Sequence, residues 1–197
     1  MNPIILNNIS FEPDTDKIAD KLHIAKDSDD YADFIRLLES VGEVAKPKAL
    51  YMPLIIEQRG SDFVVLDGRK MSSGVMSESL MGVQRLFVFV STCGEEIEAL
   101  SKTVTDILHS WWMERIKEQV LACASAYLKQ HLVADMGLSK IASIHPGALP
   151  DWPLSEQAEL FALLGDTQQM LGVSLSGSML MDPAKSLSGF MFEATGE

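Results

Sequence analysis

The stretch ALYMPLIIEQRGSDFVVLDG, residues 49–68, changes the rhythm of the chain. Two runs rich in apolar and β-branched residues flank the polar, Gly-containing turn RGSD at 59–62. That arrangement predicts a β-hairpin. The residues before it keep a helical period instead. Asp14 or Thr15 caps a short helix with Ile18 and Leu22 on its apolar face. Ser28 caps a clearer one, with Tyr31, Phe34, Ile35, Leu38 and Val41 at helical spacing and Gly42 near its end. Further back, Ile4 to Leu6 can start a strand.

On the other side, Ser77 to Met81 predicts a helical turn, and RLFVFVST (Arg85–Thr92) a fully apolar and therefore central strand. After Gly94, Ile97, Leu100, Val104, Ile107 and Trp111 recur at three and four residues. A second series runs through Ile116, Val120, Cys123 and Tyr127. The stripe shifts around His109 and Ser110, which predicts two helices or one kinked helix, ended by Met136-Gly137. KIASI (140–144) is a short strand. It leads into HPGALPDWPLSEQ (145–157), whose three prolines and one glycine make a rigid connector, a place where binding groups often sit. A helix with Leu154, Ala158, Phe161 and Leu164 follows, stopped by Gly165. VSLSGSMLM and SLSGFMF, separated by DPAK, predict two closing strands. The expectation is one α+β domain over residues 1–197, with a central, mainly antiparallel sheet and helices packed against it.

Composition narrows the function classes. Apolar residues make up 47% of the 197, enough for a substantial core. The net charge of −12, without clustered Lys and Arg, argues against nucleic acid and anionic membrane surfaces. It favours neutral or cationic ligands, or simply keeps the protein dispersed. No window approaches the ~18 apolar residues of a membrane span. The N-terminal MNPIILNNISFEPD lacks the basic leader and cleavage site of a signal peptide. Cys93 and Cys123 stand far apart, without ligand spacing for zinc or a disulfide framework. A cytoplasmic, reduced protein is expected.

Generic motifs assign no reaction. There is no phosphate-binding loop, dinucleotide fingerprint, nucleophile elbow or zinc-protease motif. His23, His109, His131 and His145 stand alone in sequence, although His145 lies in the rigid segment. Cys93 in STCGEE sits between a strand and a helix start, where the dipole favours a thiolate; the alternative is a small hydrophobe at a strand end. Glu95, Glu96 and Glu98 suit a helix first turn.

The C-terminal third carries more. SIHPGALPDWPLSEQAELFALL, then Leu171-Gly172-Val173, then LSGSMLMDPAKSLSGFMF resembles the activation domain of vitamin B12-dependent methionine synthase, and more closely the small stand-alone proteins built on it. The family pattern is Arg-x-x-Pro-Gly-Tyr, then Trp-Pro-Leu-x-x-Gln, then Gly-Val-x-Leu-Thr-Glu-Ser, a Met-rich step and Pro-x-Lys-Ser-x-Ser-Gly. Retained here are Pro146-Gly147, Trp152-Pro153-Leu154, Gln157, Gly172-Val173, Leu175, Ser178, Met179, Met181, Pro183, Lys185-Ser186 and Ser188-Gly189. RLFVFVSTCGEEIEAL matches the family's strand ending in Thr-x-Gly, so the likeness is clearest over 75–192.

The resemblance implies a domain that binds S-adenosylmethionine and presents it to a cobalamin-bearing domain, with no nucleophile of its own. It places a cofactor site at Ser143, His145, Pro146, Gly147, Ala148, Ser176, Lys185 and Ser186. Ser143 stands where the family has Arg, Ala148 where it has Tyr, and Ser176-Gly177 where it has Thr-Glu. Serine cannot replace a guanidinium; a ligand carboxylate loses a charge-assisted contact of roughly 1.5–3 kcal/mol. Two functions follow: an S-adenosylmethionine-binding accessory of a corrinoid system, with cobalamin supplied by a partner, or a degenerate interaction module that contacts a corrinoid protein or methyltransferase. A hydrolase or transferase using Cys93 or His145 is a further alternative that lacks a base–nucleophile pair readable from sequence.

Overall fold

Strand RLFVFVST occupies the middle of the sheet because its two faces are equally apolar. In the computed structural model, which describes residues 2–194, it pairs antiparallel with a long strand over Lys48–Arg59 on one side and with Ser186–Glu193 on the other. Leu86, Val88 and Val90 point to one face, Phe87 and Phe89 to the opposite one, and all five are buried. This is the near-continuous apolar run expected of a strand covered on both sides.

In chain order the strands are β1 (Ile4–Leu6), β2 (Lys48–Arg59), β3 (Phe63–Leu66), β4 (Arg69–Ser72), β5 (Arg85–Thr92), β6 (Ile141–Ile144), β7 (Ser174–Leu175), β8 (Met181–Asp182) and β9 (Ser186–Glu193). The main sheet runs β4-β3-β2-β5-β9-β6, all antiparallel. The outer edge of β2 is shared: β1 pairs with Ala49–Tyr51 and β3 with Ile56–Arg59. Pro53, which has no N–H for a ladder, falls in the gap between them. The hairpin at 49–68 is therefore real, and RKMS, which the sequence pattern does not single out, adds β4 to it.

The helices are α1 (Thr15–Leu22), α2 (Asp29–Val44), α3 (Gly74–Ser79), α4 (Glu95–Ser101), α5 (Ile107–Met136), α6 (Gln157–Leu164, after a 3₁₀ turn at Leu154–Glu156) and α7 (Thr167–Leu171). Asp14 caps α1 by accepting from the Lys17 N–H, while Gly137, at φ 66°, ends α5 in the left-handed region that glycine adopts freely. Helix α5 serves two cores. Trp112, Met113, Ile116 and Val120 pack among α1, α2 and α4, whereas Ala124, Leu128 and Leu132 cover Phe87, Phe89 and Met191 on the sheet. The opposite face of the sheet is closed by Trp152, Leu160, Leu164 and Leu171.

Two expectations are corrected. The break in the helical region lies at Lys102–Asp106 and not at His109–Ser110, because Asp106 caps a new helix through the His109 N–H. The apparent shift at 109–110 has another origin: Ile107 and Trp111 face solvent, and the buried series begins at Trp112. VSLSGSMLM is not one strand; it folds back on itself as β7 and β8 around a tight turn at Ser176–Leu180. Among the described residues, no helix is long and apolar enough to cross a membrane.

Candidate functional site

The Pro-Gly segment is a closed double turn held at both ends. The Gly147 N–H donates to Trp152 O at 2.7 Å, and the Ala148 N–H to His145 O at 3.1 Å. Gly147 has φ +80°, a backbone state that glycine tolerates without strain. Asp151 anchors one side of the loop. Its carboxylate accepts from the Ser73 hydroxyl (2.6 Å) and from the Gly74 and Val75 N–H groups, so it caps α3 from a distant part of the chain. The Ser73 bond, reinforced by the two N–H groups, holds that carboxyl below its ordinary range. Trp152 anchors the other side, fully buried and stacked on Phe190 with ring centroids 5.3 Å apart. Its Nε1–H is buried without an acceptor among the described residues.

His145 is oriented by three contacts. Nδ1 lies 2.9 Å from Ser188 O and Nε2 lies 3.2 Å from Ser143 Oγ. The ring also stands edge-on to Phe89. A carbonyl oxygen only accepts, so Nδ1 carries the proton and, in the neutral ring, Nε2 accepts from the Ser143 hydroxyl. The ring fits because β9 has glycine beneath it: a Cβ on Gly189 would meet Ile144 O at 2.2 Å and His145 Nδ1 at 2.8 Å. The Ser-Gly pair of the C-terminal motif thus receives the histidine of the Pro-Gly motif. His145 and Ser143, two residues apart in sequence, are joined by this 3.2 Å contact.

A buried glutamine extends this network. Gln157 Nε2 donates to Met179 O at 2.7 Å, and the Ser188 hydroxyl donates to Gln157 Oε1 at 2.8 Å. One side chain therefore ties the β7–β8 turn to β9 and, through Ser188, to His145. Ser176 sits in that turn, with its Oγ accepting from the Leu180 N–H and lying 3.0 Å from Ser178 Oγ. Asp151 and Ser188 were not among the expected site residues. Their roles depend on partners 78 and 43 positions away, which no local pattern encodes.

The remaining expected residues are directed elsewhere. Lys185 Nζ lies 2.9 Å from Glu118 and 3.5 Å from Glu114, both on α5. The Lys185 hydrogen bond, ahead of that from Arg115, holds the Glu118 carboxyl below its ordinary range. Ser186 is buried, its Oγ 2.7 Å from Pro183 O and 2.8 Å from Thr92 Oγ1. Near this end of β9, Glu95, Glu98, Lys102, Gln168, Gly172 and Asp182 line an open cleft of about 340 Å³. Ser143, His145, Pro146, Gly147 and Ala148 form one continuous feature at the sheet edge, with Ser176 joined to it through Gln157. Lys185 and Ser186 belong to the contact with α5 and β5.

Cys93 is the small hydrophobe and not the thiolate. Burial pushes its thiol up to about 12, and nearby Lys117 offsets that only in part. His131 bonds Tyr51 and Asp135, and His109 stacks on Trp112. No group of three or more His, Cys, Asp or Glu side chains suited to a metal ion occurs among the described residues.

An S-adenosyl compound needs a surface for its adenosyl part and a cation for its carboxylate. The rigid turn suits the first, whereas the Trp152 N–H is fully buried and faces no surface. The second is missing from this edge: Ser143 is neutral and bonded to His145, and Lys185 is engaged with the α5 glutamates.

No protein-family model matches the chain, and no curated protein matches it. Among solved structures it is similar to the MetH reactivation domain bound to AdoHcy, with a TM-score of 0.64 and 12% identity over 100% of this chain and 80% of that one. A likeness at that identity establishes the fold, and the chain has the α+β fold of the methionine synthase activation domain.

Proposed function

We propose that the chain is a non-catalytic accessory of a corrinoid methyl-transfer system that holds an S-adenosyl compound against the Pro146-Gly147 turn. The supporting observation is the intact scaffold of the turn: Gly147 at φ +80°, its bond to Trp152 O, and Gly189 clearing room for His145. Cobalamin belongs to a partner protein in this reading, and no chemical step is assigned to the chain itself. The loss of the arginine at position 143 sets an affinity about one to two powers of ten below that of a site with a forked cation. Titration calorimetry with S-adenosylmethionine and S-adenosylhomocysteine tests it. Binding that weakens in Gly147→Val and Ala148→Asp supports the reading, and no heat at millimolar ligand overturns it.

A second reading, an interaction module that has lost the cofactor, is favoured by the internal pairing of the polar groups. Ser143, His145, Ser176 and Lys185 each spend their side chains on another residue of the chain. Binding of a corrinoid protein unaffected by added S-adenosylmethionine would select it.

A further inference from the structure

Tyr51 lies on β2, its ring 1% exposed among Phe87, Leu128 and Leu132 in the core between the sheet and α5. Its hydroxyl ends beside His131 of α5, 3.0 Å from Nε2. On the far side of the imidazole, Nδ1 lies 3.2 Å from Asp135 Oδ2, one helical turn on. A carboxylate beside Nδ1 keeps the ring proton there, so in the neutral ring Nε2 accepts from the tyrosine hydroxyl. The three groups make a graded path out of the core: the phenol is buried, the imidazole 20% exposed and the carboxylate 56% exposed. Of the chain's three tyrosines, Tyr51 is the one whose hydroxyl meets an imidazole among the described residues.

A phenol this deeply buried cannot act on a bound substrate, because no ligand reaches its oxygen. Nor does it lose its proton near neutrality: burial, and then the charge of Asp135, hold it above its ordinary 10.0. Any acceptor would satisfy the hydroxyl. A base backed by a carboxylate does more, since it can take the proton and hold the charge that results. That capacity serves a reaction that needs no contact with the reacting oxygen, outer-sphere electron transfer. Removing an electron from a phenol makes its O–H strongly acidic, and an uncompensated charge in apolar surroundings is costly. A base already seated on the hydroxyl removes that charge in the same event.

We propose that Tyr51 is a redox-active tyrosine that yields one electron to a metal-complex oxidant outside the chain while its proton passes to His131. The O–H bond breaks, the electron goes to the oxidant and the proton forms an N–H bond at Nε2. The products are a neutral phenoxyl radical, an imidazolium facing the Asp135 carboxylate, and the oxidant reduced by one electron. Re-reduction of the radical returns the proton along the same bond. Burial keeps the radical from coupling with a second tyrosine. The assignment does not depend on an S-adenosyl compound at the Pro-Gly turn.

In the test, the full chain is oxidised by photogenerated tris(bipyridine)ruthenium(III). The phenoxyl signal, distinct from that of an indolyl radical, is followed by transient absorption and freeze-quench electron paramagnetic resonance. The signal is expected to survive in a variant carrying both Tyr31→Phe and Tyr127→Phe and to disappear in Tyr51→Phe. Its formation is expected to be about tenfold or more slower in His131→Leu. Asp135→Asn slows it too, as does deuterium oxide for the wild type. A persistent signal in Tyr51→Phe, or no phenoxyl signal in the wild type, overturns the proposal. So does an unchanged rate in a His131→Leu protein whose far-UV dichroism matches the wild type. Asp135 is exposed, so Asp135→Asn tests the path even where His131→Leu does not fold. A wild-type rate in that variant, or the absence of a solvent isotope effect, overturns the proposal as well.

Discussion

The ring of His145 stands where a side chain on Gly189 would be, with Nδ1 2.8 Å from the position of that absent Cβ. Gly189 lies on β9 and His145 directly follows β6, whose last carbonyl, that of Ile144, is closer still, at 2.2 Å. Gly189→Ala therefore forces β6 away from β9. The expected cost is about 1–3 kcal/mol in denaturant midpoints, with faster amide exchange confined to residues 141–148. Wild-type exchange along β6 in that variant would show that the contact yields at no cost.

Gln157 is expected to be structural. Replacing it with leucine removes both the donor to Met179 O and the acceptor for the Ser188 hydroxyl, leaving the buried hydroxyl and the half-buried carbonyl unmatched. The loss is about 1–3 kcal/mol. The β7–β8 turn should become protease-sensitive in limited digestion, and an unchanged cleavage pattern would show that the turn holds without the glutamine.

Cys93 should resist alkylation by iodoacetamide in the folded protein, because its thiol ionises only near 12 and is buried. Modification appearing at the rate of global unfolding is the expected result, read by mass spectrometry in a denaturant series. Rapid labelling of Cys93 at neutral pH in native buffer would contradict the burial described above.

Stability should fall at both ends of the pH scale for opposite reasons. Glu118 is held low by Lys185. Burial acts against ionisation of Glu96, but its bond to Lys48 and the other favourable contacts outweigh it, and the carboxyl lies below its ordinary 4.5. These groups stay ionised in the folded chain where the unfolded chain takes up protons, so melting temperature declines as pH drops below about 4.5. Lys117 behaves in reverse. Burial acts against its charge, yet the bonds to Glu114 and Glu98 together raise it above 10.5. Its contribution is complete below that value and is lost as pH rises through the raised one. Calorimetric melting from pH 3 to 11 checks both limbs. Glu118→Gln should flatten only the acid limb.

Legibility in the sequence followed the range of the interactions. The 49–68 hairpin and the central strand at 85–92 are readable because their apolar patterns are local, and in the central strand burial is nearly complete. The helical stripe at Ile107 and Trp111 misled because periodicity records which residues are apolar, not which face finds a core. β4 was missed since RKMS has only Met71 to bury. The candidate site divided in the same way. Residues 145–148 stand together because they are consecutive and stiffened by proline and glycine. Lys185 was grouped with them through the family motif, but its pairing with Glu118 is a contact across the fold.

The position of β9 has a consequence for the order in which the molecule forms. Both β5 and β6 pair with it, and β6 has no other strand partner among the described residues. During synthesis β2 and β5 can zip together as soon as residue 92 is available, whereas β6 must wait about 40 further residues for the strand it needs. Until then β6 lacks its strand partner, although Asp151 of the Pro-Gly loop already has Ser73, Gly74 and Val75 to hold. A chain truncated after residue 180 should therefore keep a protected β2–β5 pair while β6 stays protease-accessible, and the edge that bears His145 is the last part of the sheet to close.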